Sequence, residues 1–216
     1  MRNTEDTKAR IYDAAVAMFY EHGYAAASMR SIVQAAGVQM SSVYYHYKNK
    51  HDLLYEVMRR SIEESTSFVL RSLHGMNGAE EKLRAALGAE VDWHTSRQRE
   101  AFIADAELRR LEGVYRRDVI ALRDREEAIF RDIIDEGIRD GVFVVEDSRV
   151  VVRMLMTAAT GVARWYRADG PERPAAIARA FADALLDGLR ARPALDVVQG
   201  TNRRRANRPA PIARQA

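Results

Sequence analysis

Hydrophobic residues recur at helical spacing along most of this 216-residue chain. The first stripe follows Thr4 and Thr7, either of which can cap a helix that runs to about His22. Its positions i, i+3, i+4, i+7 and i+8 are Ile11, Ala14, Ala15, Met18 and Phe19. Gly23 follows and is expected to end the helix. The N-terminal segment is therefore predicted to be a helix with one buried face.

The same spacing predicts six further helices beyond residue 48, with Asn49 as the cap of the first. Their predicted bounds are about 49–73, 79–96, 99–110, 114–140, 148–167 and 174–190. The run Val142–Val145 is apolar enough for a strand, but no second strand exists to pair with it. We therefore expect a buried connector there. With the two short helices described next, the fold class is predicted to be all-α, with about nine helices.

Two short helices joined by a tight turn are predicted between residues 28 and 47. Ser28 can cap the first, because its hydroxyl accepts a backbone N–H that has no partner within the helix. Ile32 and Ala36 give this helix an apolar face, and Gly37 can end it in a left-handed conformation.

The second short helix has a polar outer face. Its inward residues are expected to be Met40, Val43 and Tyr47. Ser41, Ser42 and Tyr45 then point outward, with Tyr44 and His46 on the flanks. Hydroxyl, amide and phenol groups can bind phosphates and base edges in a DNA major groove. The alternative is a small three-helix subdomain that binds no ligand.

This segment resembles the helix-turn-helix of TetR-type transcriptional regulators over roughly residues 8–58. The matching residues are Phe19, Gly23, Ser28, Arg30, Ile32, Ala36-Gly37-Val38, the run Val43–Lys50, and Leu53-Leu54. The resemblance implies a DNA-binding head, residues 1–48, on a helical effector-binding and dimerisation body, residues 49–192. It also implies that the last two helices form a four-helix interface with those of a second copy.

Nine residues of the head are expected to contact DNA. They are Ser28, Arg30, Gln39, Met40, Ser41, Ser42, Tyr44, His46 and Lys50. The resemblance places Tyr44 and Lys50 where phosphates are usually held. It also places Gln39, Met40 and Ser41 at positions that usually approach DNA bases. His46 could instead pack internally. The expected partner is a palindromic double-stranded operator bound by a homodimer.

The body contains candidates for an effector pocket, namely Trp93, Phe102, Arg109, Met154, Arg164 and Trp165. Aromatic and Met residues at helical spacing also fit an ordinary core, and the Arg residues also fit solvated helix faces. The stretch Arg164–Pro171 resembles the C-terminal segment of acyl-CoA-responsive TetR-type regulators, which implies an acyl-CoA thioester as effector. The alternative is a neutral planar aromatic ligand that stacks on Trp93 or Trp165.

The net charge of +3 is unevenly distributed. Residues 193–216 contain one acid, Asp196, and several Arg residues, namely Arg203, Arg204, Arg205, Arg208 and Arg214. The segment is rich in Pro, Asn and Arg and has little to bury, so we expect a disordered basic tail. Global charge therefore does not argue for DNA binding; the local motif does.

Other classes of function are disfavoured. The chain has no Cys, which excludes disulfides and thiolate metal sites and fits a reducing cytoplasm. No apolar run reaches membrane-spanning length, and the polar N-terminus lacks a signal-peptide core. The five His show no metal-ligand spacing, and the pair Glu126-Glu127 is expected on a surface helix without a nucleophile. We expect no enzyme activity and no cofactor.

The sequence thus predicts a cytoplasmic homodimeric transcriptional regulator, a repressor that a small molecule releases from DNA. The alternative from another class is a helical small-molecule-binding or enzymatic protein whose head has lost its affinity for DNA.

Overall fold

The computed structural model describes residues 2–190, with side chains from Thr4 onward. Over these residues the chain forms nine α-helices and no strand, as predicted. They are α1 (Arg2–Ala26), α2 (Met29–Ala36), α3 (Met40–His46), α4 (Lys50–Ser72), α5 (Gly78–Ser96), α6 (Gln98–Ala106), α7 (Gly113–Arg139), α8 (Ser148–Trp165) and α9 (Pro174–Leu189). The predicted basic tail, 193–216, lies outside the described residues.

The predicted helix ends around the turn of the head are confirmed. The hydroxyl of Ser28 accepts a hydrogen bond of 3.0 Å from the backbone N–H of Ser31, and Ser31 reciprocates, which forms a capping box. Gly37 ends α2 at φ 62°, in the left-handed region. The Asn49 side chain caps α4 by accepting the N–H of Asp52 at 3.0 Å.

Three predicted boundaries differ from the structure. Gly23, which was expected to end the first helix, forms a kink at φ 76°, and α1 continues to Ala26. Helix α1 already begins at Arg2, so Thr4 and Thr7 lie within its first turns and do not cap it. The helix predicted over 99–110 ends at Ala106, and a separate 3₁₀ turn follows at Leu108–Arg110. This turn lies against the start of α4, where the Arg110 carbonyl is 3.1 Å from His51 Nε2.

The hydrophobic core does not divide at residue 48. One buried cluster joins α1, α2 and α3 to α4, α6 and the start of α7, and includes Ile11, Phe19, Ile32, Val43, Leu54, Met58, Ile103 and Val119. A second cluster lies between α5, α7, α8 and α9. The head is therefore packed directly on α4 and α6, so a shift of either helix is transmitted to it.

The connector after α7 was predicted to be buried, and only part of it is: Phe143 is buried, Val142 and Val145 are half-buried, and Val144 is 67% exposed. Phe143 is 2% exposed and lies so close to Gly137 that a Cβ at that position would overlap its ring. The connector is held by a hydrogen bond of 2.8 Å from the Val144 N–H to the Leu189 carbonyl. This bond fixes the end of α9 beside the end of α7.

Candidate functional site

Helix α3 presents a polar surface whose inner side is anchored in the core. Val43 and Tyr47 are buried, as expected, at 0% and 5% exposure. Met40 was expected to point inward as well, but its side chain is 37% exposed, because it occupies the first position of the helix. The exposed residues beside it are Gln39, Ser41, Tyr44 and Tyr45, and Ser42 and His46 are half-buried. All the α3 candidates for DNA contact thus reach the surface.

The turn between α2 and α3 is fixed by a residue that sequence reasoning missed. Arg10 on α1 donates hydrogen bonds from Nη2 to the carbonyls of Ala36 and Gly37, at 2.7 and 3.0 Å. Ser28 and Arg30 are exposed at the start of α2, although the hydroxyl of Ser28 is already bonded in the capping box. The head therefore presents α2 and α3 at a fixed angle.

Lys50 was predicted to contact DNA phosphate, and its geometry argues against that role. Its Nζ lies 2.7 Å from the carbonyl oxygen of Tyr24, 2.6 Å from that of Ala27 and 3.4 Å from that of Ala25. It also lies 4.3 Å from the centre of the Tyr24 ring. These contacts use the donors of the ammonium group, so Lys50 ties the segment before α2 to the start of α4.

A cavity of about 340 Å³ lies in the body between α4, α5, α6, α7 and α8. Its wall consists of Ser61, Ile62, Ser65, Trp93, His94, Ala101, Ala104, Asp105, Arg123, Glu126, Glu127, Arg153, Met156, Thr157 and Thr160. A volume of this size lies within the usual range of small-ligand sites.

Of the six residues predicted for an effector pocket, Trp93 lines this cavity. Arg164 lies beside it, because its guanidinium pairs with Asp105 of the wall. The other predictions are wrong for this cavity. Phe102 packs edge-on against Tyr20 at 5.4 Å, and Arg109 lies exposed on the 3₁₀ turn. Met154 and Trp165 lie exposed on the outer face of α8.

A cluster of buried ionisable residues, which we call the acidic floor, consists of His94 and Glu126 in the wall and Glu90 behind it, with Ser65 between the two carboxyls. Glu90 is 0% and Glu126 5% exposed, so the prediction that Glu126 lies on a surface helix is wrong. Ser65 Oγ donates to Glu90 Oε2 at 3.2 Å, and Thr66 donates to Glu126 Oε1 at 3.3 Å. Helical spacing could have found Glu126, because it lies seven residues after the buried Val119.

Burial determines the charge state of this floor. Desolvation raises the pKa of Glu90 to about 7, and desolvation together with repulsion by Glu90 raises the pKa of Glu126 to about 8. Desolvation also lowers the pKa of His94, which favours the neutral imidazole. Two buried atoms of the described residues beside the cavity lack a hydrogen-bond partner, Glu90 Oε1 and Trp93 Nε1.

Structural links connect the cavity to the head. Ile62 and Ala104 line the cavity and also belong to the cluster that packs under α1, α2 and α3. At the end of the 3₁₀ turn, the carbonyl of Arg110 lies 3.1 Å from His51 Nε2 at the start of α4. Tyr115 on α7 donates to Asp52 at 2.8 Å. The cavity wall and the support of the head therefore share residues of α4 and α6.

The outer faces of α8 and α9 form an apolar surface. Val150, Met154 and Trp165 on α8 are 61%, 58% and 49% exposed. Between the two helices lies an apolar groove lined by Leu87, Met154, Leu155, Ala158, Phe181, Ala184 and Leu185. Exposed apolar surface of this kind marks an interaction site.

Among the described residues, no helix is both long and apolar enough to cross a bilayer.

Comparison with known proteins matches both parts of the chain to family models. Residues 11–57 match the model of bacterial regulatory proteins of the tetR family, and residues 77–189 match the Tetracyclin repressor-like C-terminal domain.

Individual relatives agree with these matches. The HTH-type transcriptional repressor KstR2 of Mycolicibacterium smegmatis is 27% identical over 177 residues, which cover 81% of this chain and 86% of the relative. A tetR-family regulatory protein from Rhodococcus RHA1 has a structure with a TM-score of 0.82 at 24% identity, covering 87% of this chain and 98% of that one. AibR, solved with isovaleryl coenzyme A and operator DNA, has a TM-score of 0.73 at 21% identity. The match covers 85% of this chain and 97% of the AibR chain. The chain belongs to the TetR family of bacterial transcriptional regulators.

Proposed function

We propose that this DNA-binding transcriptional regulator is a cytoplasmic homodimeric repressor that leaves its operator when a small molecule, an acyl-CoA thioester, fills the cavity of the body. In the DNA complex, Gln39, Met40 and Ser41 approach base edges. The contacts to the sugar-phosphate backbone of the DNA come from Ser28, Arg30, Ser42, Tyr44 and His46. Lys50 acts by positioning the head, since its ammonium is bonded to backbone carbonyls.

The dimer uses the apolar surface of α8 and α9. A single helix-turn-helix reads only one half-site, so a two-fold dimer on a palindromic operator is the physical expectation. Exposed Met154 and Trp165, together with the small residues Ala158 and Ala184, permit the close approach of two such surfaces. This surface lies away from α3, which leaves both heads free to reach DNA.

One observation carries the effector role of the cavity: Ile62 belongs both to the cavity wall and to the core beneath the recognition helix. A ligand that fits one arrangement of α4 better than the other shifts the population of head positions. Release requires this difference in affinity, because a ligand that binds both arrangements equally shifts nothing.

The acyl-CoA assignment rests on the rim of the cavity and on the relatives. Arg153 lines the cavity, is exposed and forms no ion pair within the described part of the chain. Arg164 lies close by, paired with Asp105. Such guanidinium groups suit the phosphates of coenzyme A. AibR, with which this chain shares its fold, was solved with isovaleryl coenzyme A and operator DNA.

A neutral aromatic effector is the second candidate, and Trp93 is the observation that favours it. Its indole lines the cavity, and its Nε1 has no hydrogen-bond partner among the described residues. A planar ligand with an acceptor could stack on this ring and bind the free N–H.

Calorimetry distinguishes the two effectors. Acyl-CoAs of increasing chain length are titrated into the purified protein, with the matching free acids and a neutral aromatic series as controls. We expect affinity to rise by up to about fourfold per added CH₂ until the cavity is full, and to drop when coenzyme A is absent. Flat affinity across the series, or binding of the aromatics alone, would contradict the acyl-CoA assignment. The same titrations with labelled upstream DNA report whether binding releases the protein.

A further inference from the structure

The acidic floor makes the deep end of the cavity unsuitable for a plain hydrocarbon. Glu126, His94 and Ser65 line the cavity directly, and Glu90 lies behind Ser65, which donates to it at 3.2 Å. Packing a methyl-terminated chain against these groups would remove them from water without replacing its hydrogen bonds, which is costly. The floor is therefore built to meet a polar group.

The tautomer of His94 shows which kind of polar group fits. Nδ1 of His94 lies 2.9 Å from the backbone carbonyl of Glu90. A carbonyl oxygen can only accept, so Nδ1 carries the proton of the neutral imidazole, and Nε2 is left with a lone pair. Among the described residues, none forms a hydrogen bond with Nε2. The lone pair of Nε2 therefore requires a donor, and the carboxyl of Glu126 has an oxygen that can accept from the same group in either protonation state.

The charges around the floor decide between a neutral donor and a cationic one. Arg123 of α7 lines the same cavity and donates to the carbonyl of Ala104 on α6, so a positive charge is already present. The other ionic groups of the wall are Asp105, paired with Arg164, Glu127, paired with Arg131, and the exposed Arg153. An ammonium would meet the Arg123 guanidinium, and a carboxylate has no proton to donate to the lone pair of His94 Nε2.

We propose that the effector carries a hydroxyl group at its buried end, which donates to the acidic floor at Glu126 and His94. The proposal deepens the proposed function, on which it rests, by naming the class of acyl group: a hydroxylated chain whose hydroxyl lies far from the thioester. Ser61, which lines the same cavity, supplies a donor to the hydroxyl oxygen. The raised pKa of Glu126 is consistent with this role, because a carboxyl that exchanges its proton near neutrality can both accept from and donate to a hydroxyl.

The test compares ligands that differ only at their deep end. An ω-hydroxyacyl-CoA and the unsubstituted acyl-CoA of equal chain length are titrated calorimetrically into the wild-type protein. We expect the hydroxylated thioester to bind about tenfold more tightly, which is the order of one well-made hydrogen bond to an ionisable group. Equal binding, or tighter binding of the unsubstituted chain, would overturn the proposal while leaving an acyl-CoA effector intact.

Three variants locate the preference. In Glu126→Met the preference should vanish or reverse, because an apolar side chain of similar length replaces the acceptor. In Glu127→Met, a change of the neighbouring cavity residue, the preference should remain. His94→Phe provides a second route if Glu126→Met does not fold. Retention of the full preference in Glu126→Met or in His94→Phe would contradict the assignment to the floor.

A second ligand pair separates this proposal from the proposed function. Phenol and toluene have similar shapes and lack coenzyme A, and both are neutral at pH 7. We expect the wild-type protein to prefer phenol, and Glu126→Met to lose that preference. If neither thioester binds, the acyl-CoA assignment fails, and the phenol–toluene pair alone decides the hydroxyl proposal. A wild-type protein that prefers toluene, or shows no preference, would refute it.

Discussion

The carboxylate of Glu107 accepts a hydrogen bond of 3.2 Å from the backbone N–H of Tyr24, across 83 residues of sequence. Tyr24 lies in the last turn of α1, directly after the kink at Gly23, and Glu107 follows directly on α6, whose Ala101 and Ala104 line the cavity. The bond therefore joins the head to the residue that follows the cavity-lining helix α6.

Loss of this bond should weaken the communication between cavity and head. In Glu107→Ala, we expect the effector-induced change in DNA affinity to shrink about fivefold, because one hydrogen bond contributes about 1 kcal/mol. Fluorescence anisotropy with labelled upstream DNA, with and without effector, measures the change. Glu107→Gln keeps an acceptor and is the control. If Glu107→Ala responds to effector as the wild type does, the bond takes no part in coupling.

Lys50 should affect the stability of the head and leave the salt dependence of DNA binding unchanged. Lys50→Met removes charge-assisted bonds to the carbonyls of Tyr24 and Ala27, which should lower the free energy of unfolding by about 1–2 kcal/mol. The slope of log affinity against log salt should stay constant. In Arg30→Ala, where an exposed cation is removed, the slope should fall by about one. If the slope of log affinity against log salt fell by one in Lys50→Met, Lys50 would be a phosphate contact after all.

The acidic floor should make stability depend on pH above neutrality. Between pH 6.5 and 8.5, the folded state binds more protons than the unfolded chain, because Glu90 and Glu126 titrate at about 7 and 8 when buried but near 4.5 when exposed. Stability should therefore fall as the pH rises through this window. His94, whose pKa is lowered, has the opposite effect below pH 6.5. Urea unfolding should show the decline in the wild type and a smaller one in Glu126→Gln; an equal decline in both would exclude Glu126 as a source.

The α8–α9 surface should be required for DNA binding through dimerisation. Met154→Asp places a charge on this surface at a side chain that is 58% exposed, so the monomer fold should persist. We expect sedimentation to show monomers and operator binding to weaken by at least about a hundredfold, since one half-site contact is lost. Leu70→Asp, at a similarly exposed position on α4, is the matched control. A Met154→Asp protein that remains dimeric would place the interface elsewhere.

Local sequence signals predicted the helices and the head well. Ser28, Gly37 and Asn49 act through residues close in sequence, so capping rules found them. The predictions that were wrong depend on contacts between residues far apart in sequence. Lys50, for example, bonds to carbonyls 23 and 26 residues away. The cavity is walled by five helices, and no local pattern shows which faces will meet. The helical period places Glu126 on the same face as the buried Val119, but a charged side chain normally indicates an exposed position.

Competition between DNA duplexes measures whether the protein reads a specific operator sequence and whether a ligand releases it. Labelled duplex from upstream of the gene is bound by the wild-type protein and competed with unlabelled upstream or shuffled duplex at 0.15 M salt. We expect the upstream duplex to compete about a thousandfold more effectively than the shuffled one, and a saturating acyl-CoA to release the bound duplex. Equal competition by the two duplexes, with no response to the thioester, would contradict a ligand-released repressor that reads its operator through α3.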